Sequence, residues 1–172
     1  GADLILTNSF GANASRLRLA GASDRVASLN LAAARLAREA VAEAGRPVVV
    51  AGSMGPTGEI MAPMGRMTEA EATRLFTEQA EALKQGGADL LWIETISAAE
   101  EMRAAARAAQ IVDLPWCGMM SFEPGGRSVM GVSPPQLAKL IDRLPHPPVA
   151  YGANCGTGPA ELLLAVAGFS AA

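Results

Sequence analysis

The chain has 172 residues, of which 50% are hydrophobic and 18% charged, a composition that supports one folded domain and excludes a disordered chain. A net charge of −3 gives no basic field for a polyanion, so we expect no nucleic-acid partner. No apolar run reaches the ~18 residues of a membrane helix. Two cysteines make no disulfide framework, so we expect a cytoplasmic protein with free thiols and a small ligand.

Short apolar runs alternate with longer amphipathic segments, a pattern that predicts βα units and a parallel sheet. The predicted strands are Asp3–Thr7, Pro47–Gly52, Asp89–Thr95, Pro115–Phe122 and Pro148–Asn154. Helix-start signals follow the strands. They are Ser23 as an N-cap, the capping boxes Thr68 with Glu71 and Ser97 with Glu100, and Pro134 after Ser133.

Both ends of the chain read as interior parts of a fold. Residue 1 is Gly, and a buried-strand pattern already begins at Asp3. A helix pattern from Pro159 to Ala172 ends with apolar residues that still lack a partner. We therefore expect residues 1–172 to be a partial domain, truncated at both ends. The alternative is a small, rather apolar oligomer.

Five consecutive βα units fit two α/β architectures. A (β/α)8 TIM barrel needs ~250 residues, so five units would form a partial barrel. A doubly wound sheet fits the length better, but its first βα turn carries a glycine-rich phosphate loop. The corresponding turn here, Thr7 to Asn13, lacks that pattern. The sequence therefore favours the partial barrel.

Polar or glycine-rich residues follow the strands, where parallel α/β folds build their sites. Cys155 follows the last strand and is either a functional thiol or a small buried hydrophobe. Glu94 ends an otherwise apolar strand and is either a ligand contact or a rim ion pair. Cys117 lies within a strand and is expected in the core. His146 lies in a Pro-rich turn on the opposite side of the sheet, so we expect no Cys-His pair.

Four of these strand-end segments form an ordered set: Gly1-Ala-Asp-Leu-Ile-Leu-Thr-Asn-Ser-Phe10, Ala51-Gly-Ser-Met-Gly-Pro-Thr-Gly58, Trp92-Ile-Glu-Thr-Ile96 and Gly152-Ala-Asn-Cys-Gly156. Together they resemble the homocysteine S-methyltransferase family, over essentially the whole chain. The likeness is nearest to bacterial betaine–homocysteine S-methyltransferases, through Gly58-Glu-Ile-Met-Ala-Pro-Met-Gly65 and Ser121-Phe-Glu-Pro-Gly-Gly-Arg127.

The resemblance implies an enzyme that transfers a methyl group from a small donor, betaine-type favoured, to the homocysteine thiolate, giving methionine. It makes Cys155 one of three cysteines that bind a zinc cofactor, which stabilises that thiolate. It makes Glu94 the contact to the homocysteine amino group. The residues expected to line or support the amino-acid pocket are Thr7, Asn8, Ser53 and Asn154. Homocysteine and the donor are the implied partners, a homo-oligomer remains open, and no membrane association is expected.

The sequence also departs from the family. It has no Gly-Gly-Cys-Cys motif, which supplies the family's other two zinc cysteines, and by family register it holds strands two to six of eight. One thiolate cannot hold a catalytic zinc, which takes three protein ligands. The alternative is an inactive or partner-completed homocysteine-binding fragment without a complete zinc site. An unrelated enzyme with a Cys155 nucleophile would need a base that the sequence does not offer.

Overall fold

The computed structural model describes residues 1–169, in which strands and helices alternate along the chain. The strands are β1 (Leu4–Leu6), β2 (Val49–Met54), β3 (Leu90–Ile96), β4 (Trp116–Met120) and β5 (Ala150–Ala153). The α-helices are α1 (Ala14–Leu17), α2 (Val26–Ala44), α3 (Glu69–Gln85), α4 (Ala99–Val112), α5 (Pro134–Ile141) and α6 (Pro159–Gly168). All five strand predictions are confirmed. The end of the predicted last helix, residues 170–172, lies outside the described residues.

The five strands form one parallel sheet in chain order, β1-β2-β3-β4-β5. A doubly wound sheet reverses its strand order at a switch point, and no reversal occurs here. Sequential parallel neighbours joined by helices are the arrangement of a (β/α)8 barrel. The expectation of a partial barrel of five βα units is therefore confirmed, and the doubly wound alternative is excluded.

The core lies between the sheet and the helices α3 and α4 that cover it. Its largest fully buried side chains include Trp116, Phe76, Leu83, Leu91 and Ile93. Burial of one such side chain stabilises the fold by about 1.5–3 kcal/mol. Cys117 is also buried, as expected, at 4% exposure, although it is not part of this cluster. His146 lies at the amino ends of the strands, where its carbonyl accepts a hydrogen bond from Trp116 Nε1 (3.1 Å).

Helix starts follow two of the predicted signals. Thr68 and Glu71 form the expected capping box, in which Glu71 N donates to Thr68 Oγ1 (3.2 Å) and Thr68 N to Glu71 Oε2 (3.0 Å). Pro134 is the first residue of α5, directly after Ser133. Side chain and backbone thus satisfy the free N–H groups of the first turn of α3, as a capping box requires.

Two other predicted caps are wrong. Ser23 lies in a short 3₁₀ helix, Ser23–Arg25, and α2 begins only at Val26. Ala98 precedes α4 without a side-chain cap, because Ser97 is one residue too early and its carbonyl accepts a hydrogen bond from Ser128 Oγ (2.6 Å). Glu100 pairs instead with Arg103, at 3.2 Å.

The two outer strands leave apolar side chains exposed. β1 and β5 each pair with one neighbour among residues 1–169. Leu6 at β1, Val149 before β5, and Leu163 and Leu164 on α6 are between 44% and 74% exposed. The expectation that the domain is truncated at both ends stays a prediction. No helix within the described residues combines the length and the apolar character needed to cross a bilayer.

Candidate active site

The carboxyl ends of β2, β3 and β5 bring together a serine, a carboxylate and a carboxamide. Ser53 of β2 donates from Oγ to Oε1 of Glu94 on β3 (2.7 Å). Asn154, directly after β5, donates from Nδ2 to Oε2 of the same carboxylate (3.3 Å). Both oxygens of Glu94 therefore accept a hydrogen bond from the protein, and the half-buried carboxylate is held in one orientation. Three of the predicted site residues thus form one hydrogen-bonded cluster.

Cys155 joins this cluster through Asn154 and Thr95. Its sulfur lies 3.6 Å from Asn154 Nδ2 and 3.6 Å from Thr95 Oγ1. Asn154 is itself fixed by Thr95, whose backbone N donates to Oδ1 (3.0 Å) while its hydroxyl accepts from Nδ2 (2.9 Å). Cys155 is solvent-exposed, whereas Cys117 is buried. The exposed thiol and the Glu94 carboxylate are therefore linked by one side-chain amide.

The backbone at this cluster departs from regular structure on both sides. The β3–β4 register shifts between Ile93 and Ile96, so Glu94 and Thr95 lie in an irregular stretch of the strand. Thr95 (φ +63°) and Cys155 (φ +59°) both adopt left-handed conformations that are strained for residues with a β-carbon. Such irregularities re-aim side chains at the ends of barrel strands. Two of the three non-glycine residues with positive φ in the described chain therefore lie beside Asn154, which links the carboxylate and the thiol.

Thr7 lies behind Ser53 and is buried. Its Oγ1 accepts a hydrogen bond from Ser53 N (2.9 Å) and lies 2.6 Å from Ser9 Oγ. The Thr7 hydroxyl therefore already has hydrogen-bond partners within the protein, and it supports the backbone of Ser53. Asn8 does not join the cluster; it is exposed and lines a separate surface cavity of about 380 Å³ beside α2. A contact between Asn8 and a ligand stays a prediction.

The glycine-rich loop after β2 is held from three directions. Gly55 N donates to Phe10 O (2.9 Å), and Asn13 Nδ2 donates to Pro56 O (3.3 Å). A β-carbon at Gly55 would lie 2.5 Å from Phe10 Cε2, so any larger residue here would displace the Phe10 ring. Thr57 donates from its backbone N (2.8 Å) and its hydroxyl (2.7 Å) to Glu101 Oε1 of α4. The loop packs against protein rather than forming a phosphate cradle.

Glu101 is a buried carboxyl group with a perturbed pKa. Only 3% of the residue is exposed, and burial raises its pKa above the ordinary value of 4.5, against the hydrogen bonds from Thr57 that lower it. The folded state therefore binds this proton more tightly than the unfolded chain does. As pH rises from 4.5 through the raised pKa, the contribution of Glu101 to the free energy of unfolding falls.

We expect Glu101→Gln to gain stability relative to the parent chain as pH rises from about 4 to about 7, because glutamine still accepts from Thr57 but carries no buried charge. Glu101→Ala should lower the free energy of unfolding by about 1–3 kcal/mol, because the Thr57 N–H loses its acceptor. Urea unfolding of the three proteins at both pH values measures these differences. If the difference in the free energy of unfolding between Glu101→Gln and the parent chain does not change with pH, Glu101 is not a buried group that titrates in this range.

Sequence reasoning assigned no role to three residues that the structure places at or beside the site, although two of them lie in the strand-end segments. Ser9 is buried in contact with Thr7, Thr95 holds Asn154, and Glu101 holds the loop after β2. Ser9 and Thr95 follow predicted site residues by one or two positions, which was the only available signal. For Glu101 the signal was a second acidic residue in the first turn of α4.

Comparison with known proteins then decides the family. A family model described as homocysteine S-methyltransferase matches residues 1–172. The chain belongs to the homocysteine S-methyltransferase family. The resemblance found in the four strand-end motifs is thus confirmed.

Two curated proteins to which the chain is similar are methionine synthases. The protein of Mycobacterium tuberculosis is 30% identical over 171 residues, which is 94% of this chain and 14% of the relative. The protein of Mycobacterium leprae is 29% identical over the same share of both chains. The chain therefore spans about one seventh of the length of these relatives.

A solved structure with the same fold is the homocysteine methyltransferase MmuM from Escherichia coli. Its metallated form matches with a TM-score of 0.71 and 25% identity, over 90% of this chain and 58% of that one. Its apo form matches with a TM-score of 0.71 and 25% identity, over 96% of this chain and 60% of that one. This chain thus spans less than two thirds of that methyltransferase.

The described residues do not by themselves make a metal centre. Residues 1–169 contain no group of three His, Cys, Asp or Glu side chains placed to hold one ion. A catalytic zinc takes three protein ligands. Cys155 is an exposed thiol with no second thiol beside it among these residues, so the donor set present does not fit a complete zinc site.

Proposed function

We propose that this chain forms the homocysteine-binding part of a homocysteine S-methyltransferase. The observation that carries the proposal is the cluster in which Asn154 contacts both the Glu94 carboxylate and the Cys155 sulfur. Homocysteine carries an ammonium group at one end and a sulfur atom at the other. The Glu94 carboxylate on β3 is complementary to the ammonium group. Cys155, after β5, would place a metal that it helps to hold beside the sulfur atom. Membership of the family supports the same assignment.

In this proposal Glu94 binds the homocysteine ammonium. Ser53 and Asn154 each donate to one of its oxygens, which leaves lone pairs on both for a third donor. Thr7 supports Ser53 from behind through its hydroxyl. An ammonium group has three donors and makes charge-assisted hydrogen bonds to a carboxylate. The glycine-rich loop that follows Ser53 and the end of β2 forms the adjacent wall of the pocket.

Zinc enters the proposal through Cys155 alone. We assign Cys155 as one thiolate ligand and infer that two further ligands come from outside these 172 residues. The metallated form of MmuM, which matches this chain over 90% of its length, supports a metal in the family. In this proposal the chain contributes one metal ligand, Cys155, and the contact to the ammonium group, Glu94.

The reaction would form a bond between the homocysteine sulfur and a methyl carbon while the bond between that carbon and its donor atom breaks. Methionine and the demethylated donor are the products. A betaine-type donor is favoured by the segments Gly58–Gly65 and Ser121–Arg127, which resemble the betaine-type members. A donor with a quaternary ammonium group leaves as a neutral amine, so no general acid is required for its departure.

The second candidate is an inactive or partner-completed homocysteine-binding fragment. This candidate is favoured because residues 1–169 hold no group of three side chains that could bind one metal ion. Purified protein should be assayed for zinc content, oligomeric state by size exclusion, and methyl transfer from betaine to homocysteine. Stoichiometric zinc with methionine formation would support the methyltransferase. A homocysteine-binding protein without zinc and without turnover would support the second candidate, and no homocysteine binding would contradict both.

A further inference from the structure

Ser9, Thr7 and Ser53 form a closed ring of hydrogen bonds beneath the site. Ser9 Oγ donates to Ser53 O (2.7 Å), so its single proton is used there. The contact of 2.6 Å between Thr7 and Ser9 must then be donated by the Thr7 hydroxyl. Ser53 N donates to Thr7 Oγ1 (2.9 Å) and closes the ring. Because each hydroxyl has only one hydrogen to donate, the donor and the acceptor of every hydrogen bond in the ring are determined.

The ring determines what the Ser53 side chain can do. Both backbone polar groups of Ser53 are satisfied within it, by Thr7 and by Ser9. The hydroxyl of Ser53 is outside the ring, and it donates to Glu94 Oε1 (2.7 Å). Ser53 is only 2% exposed, so no water replaces these partners without a rearrangement of the backbone. The position of the Ser53 hydroxyl thus depends on Thr7 and Ser9, in the segment after β1.

Ser9 is held in turn by a buried amide pair between α2 and α3. Gln79 Nε2 donates to Ser9 O (2.8 Å) and to Asn30 Oδ1 (3.1 Å). Asn30 Nδ2 donates to Ala12 O (2.8 Å) and to Val26 O (2.8 Å). Gln79 and Asn30 are completely buried. Hydrogen bonds therefore run without interruption from the helix interface through Ser9 and Ser53 to the Glu94 carboxylate.

We propose that Ser9, held by Gln79, is a positioning residue for homocysteine: through Ser53 it sets the orientation of the Glu94 carboxylate that receives the ligand's ammonium group. The proposal rests on the function proposed above. Ser9 touches no ligand in this scheme. Its effect is confined to ligands that carry an ammonium group, because only the Glu94 end of the site depends on the ring.

Two ligands separate positioning from a general structural role. Homocysteine and 4-mercaptobutyrate share a carboxylate and a thiol, but 4-mercaptobutyrate has no ammonium group. We expect Ser9→Ala to weaken homocysteine binding about five- to tenfold, the equivalent of one lost hydrogen bond, and to leave 4-mercaptobutyrate binding within about twofold. Titration calorimetry of the protein measures both. Ser28→Ala is the matched control, because Ser28 Oγ donates to Arg25 O at an exposed site remote from Glu94.

A double-mutant cycle tests the route of the effect. If Ser9 acts through Ser53, Ser9→Ala should cause no further loss of homocysteine binding in a Ser53→Ala background. Equal losses for both ligands, or full additivity with Ser53→Ala, would overturn the proposal. If urea unfolding shows that Ser9→Ala is not folded, Thr7→Val is the second variant, because it breaks the same ring of hydrogen bonds at another residue. It must then weaken the binding of homocysteine but not that of 4-mercaptobutyrate.

The same binding measurements distinguish a failure of the positioning role of Ser9 from a failure of the proposed homocysteine-binding function. If the parent protein binds homocysteine and Glu94→Gln abolishes the preference over 4-mercaptobutyrate, the proposed function stands, and an inert Ser9→Ala then refutes only the positioning role. If the parent protein does not bind homocysteine, the proposed function itself fails.

Discussion

In a methyltransferase with a complete zinc site, replacement of Glu94 by glutamine should raise the KM for homocysteine roughly 30-fold or more, because the loss of one partner of a charge pair that the bound ligand covers costs about 2–5 kcal/mol. Glutamine keeps an oxygen for the Ser53 hydroxyl but presents an NH₂ group towards Asn154 Nδ2, which is also a donor. The ligand's ammonium would then face a neutral amide. Steady-state kinetics with homocysteine as the varied substrate measures the effect.

The control for this prediction is Glu81→Gln, which removes the same charge from an exposed position on α3. Its KM should match that of the parent protein. Binding of 4-mercaptobutyrate should be nearly unaffected by Glu94→Gln, because that ligand has no ammonium group to lose. An unchanged KM in Glu94→Gln would remove Glu94 from the amino-acid site, and equal weakening of both ligands would indicate a collapsed pocket instead.

Strand positions could be predicted from the sequence because buried parallel strands read as short apolar runs. The bounds differ from the predicted ones by one or two residues at most ends, and three of the late starts follow a proline. β2 was predicted from Pro47 but begins at Val49, and β5 was predicted from Pro148 but begins at Ala150. Proline has no N–H to donate to the ladder. The first hydrogen-bonded residues are therefore those after it.

Helix caps were harder to predict because they depend on tertiary contacts. Ser97 and Glu100 fit the capping pattern as well as Thr68 and Glu71 do, yet only the second pair caps its helix. The Ser97 carbonyl instead accepts from Ser128, which lies in the loop after β4. A contact between segments so distant in the chain leaves no local signal.

The site was partly predictable for a general reason. The carboxyl ends of parallel strands meet at one edge, so Ser53, Glu94 and Asn154 could be grouped from their positions alone. Ser9 and Thr95 could not be, because their roles depend on the direction of individual hydrogen bonds and on a left-handed backbone at Thr95. Side-chain networks of this kind are specified by three-dimensional packing rather than by spacing along the chain.

In a methyltransferase that also carries the two further zinc ligands proposed above, replacement of Cys155 by alanine should abolish zinc binding and methyl transfer. A tetrahedral catalytic site that loses one of three protein ligands retains too few to hold the ion against solvent. Cys155 is exposed in the loop after β5, so its truncation leaves the buried core intact and the variant should fold. Zinc content after dialysis and the rate of methionine formation measure the two losses.

Cys117→Ala is the matched control, because the chain's other thiol lies in the core at 4% exposure, where burial raises its pKa and suppresses the reactive thiolate. This variant should keep its zinc and lose about 1 kcal/mol of stability from the small cavity that it creates. Iodoacetamide should label Cys155 much faster than Cys117, and added zinc should protect Cys155 alone. Full metal content in Cys155→Ala would place the metal elsewhere and leave the exposed thiol without an assigned role.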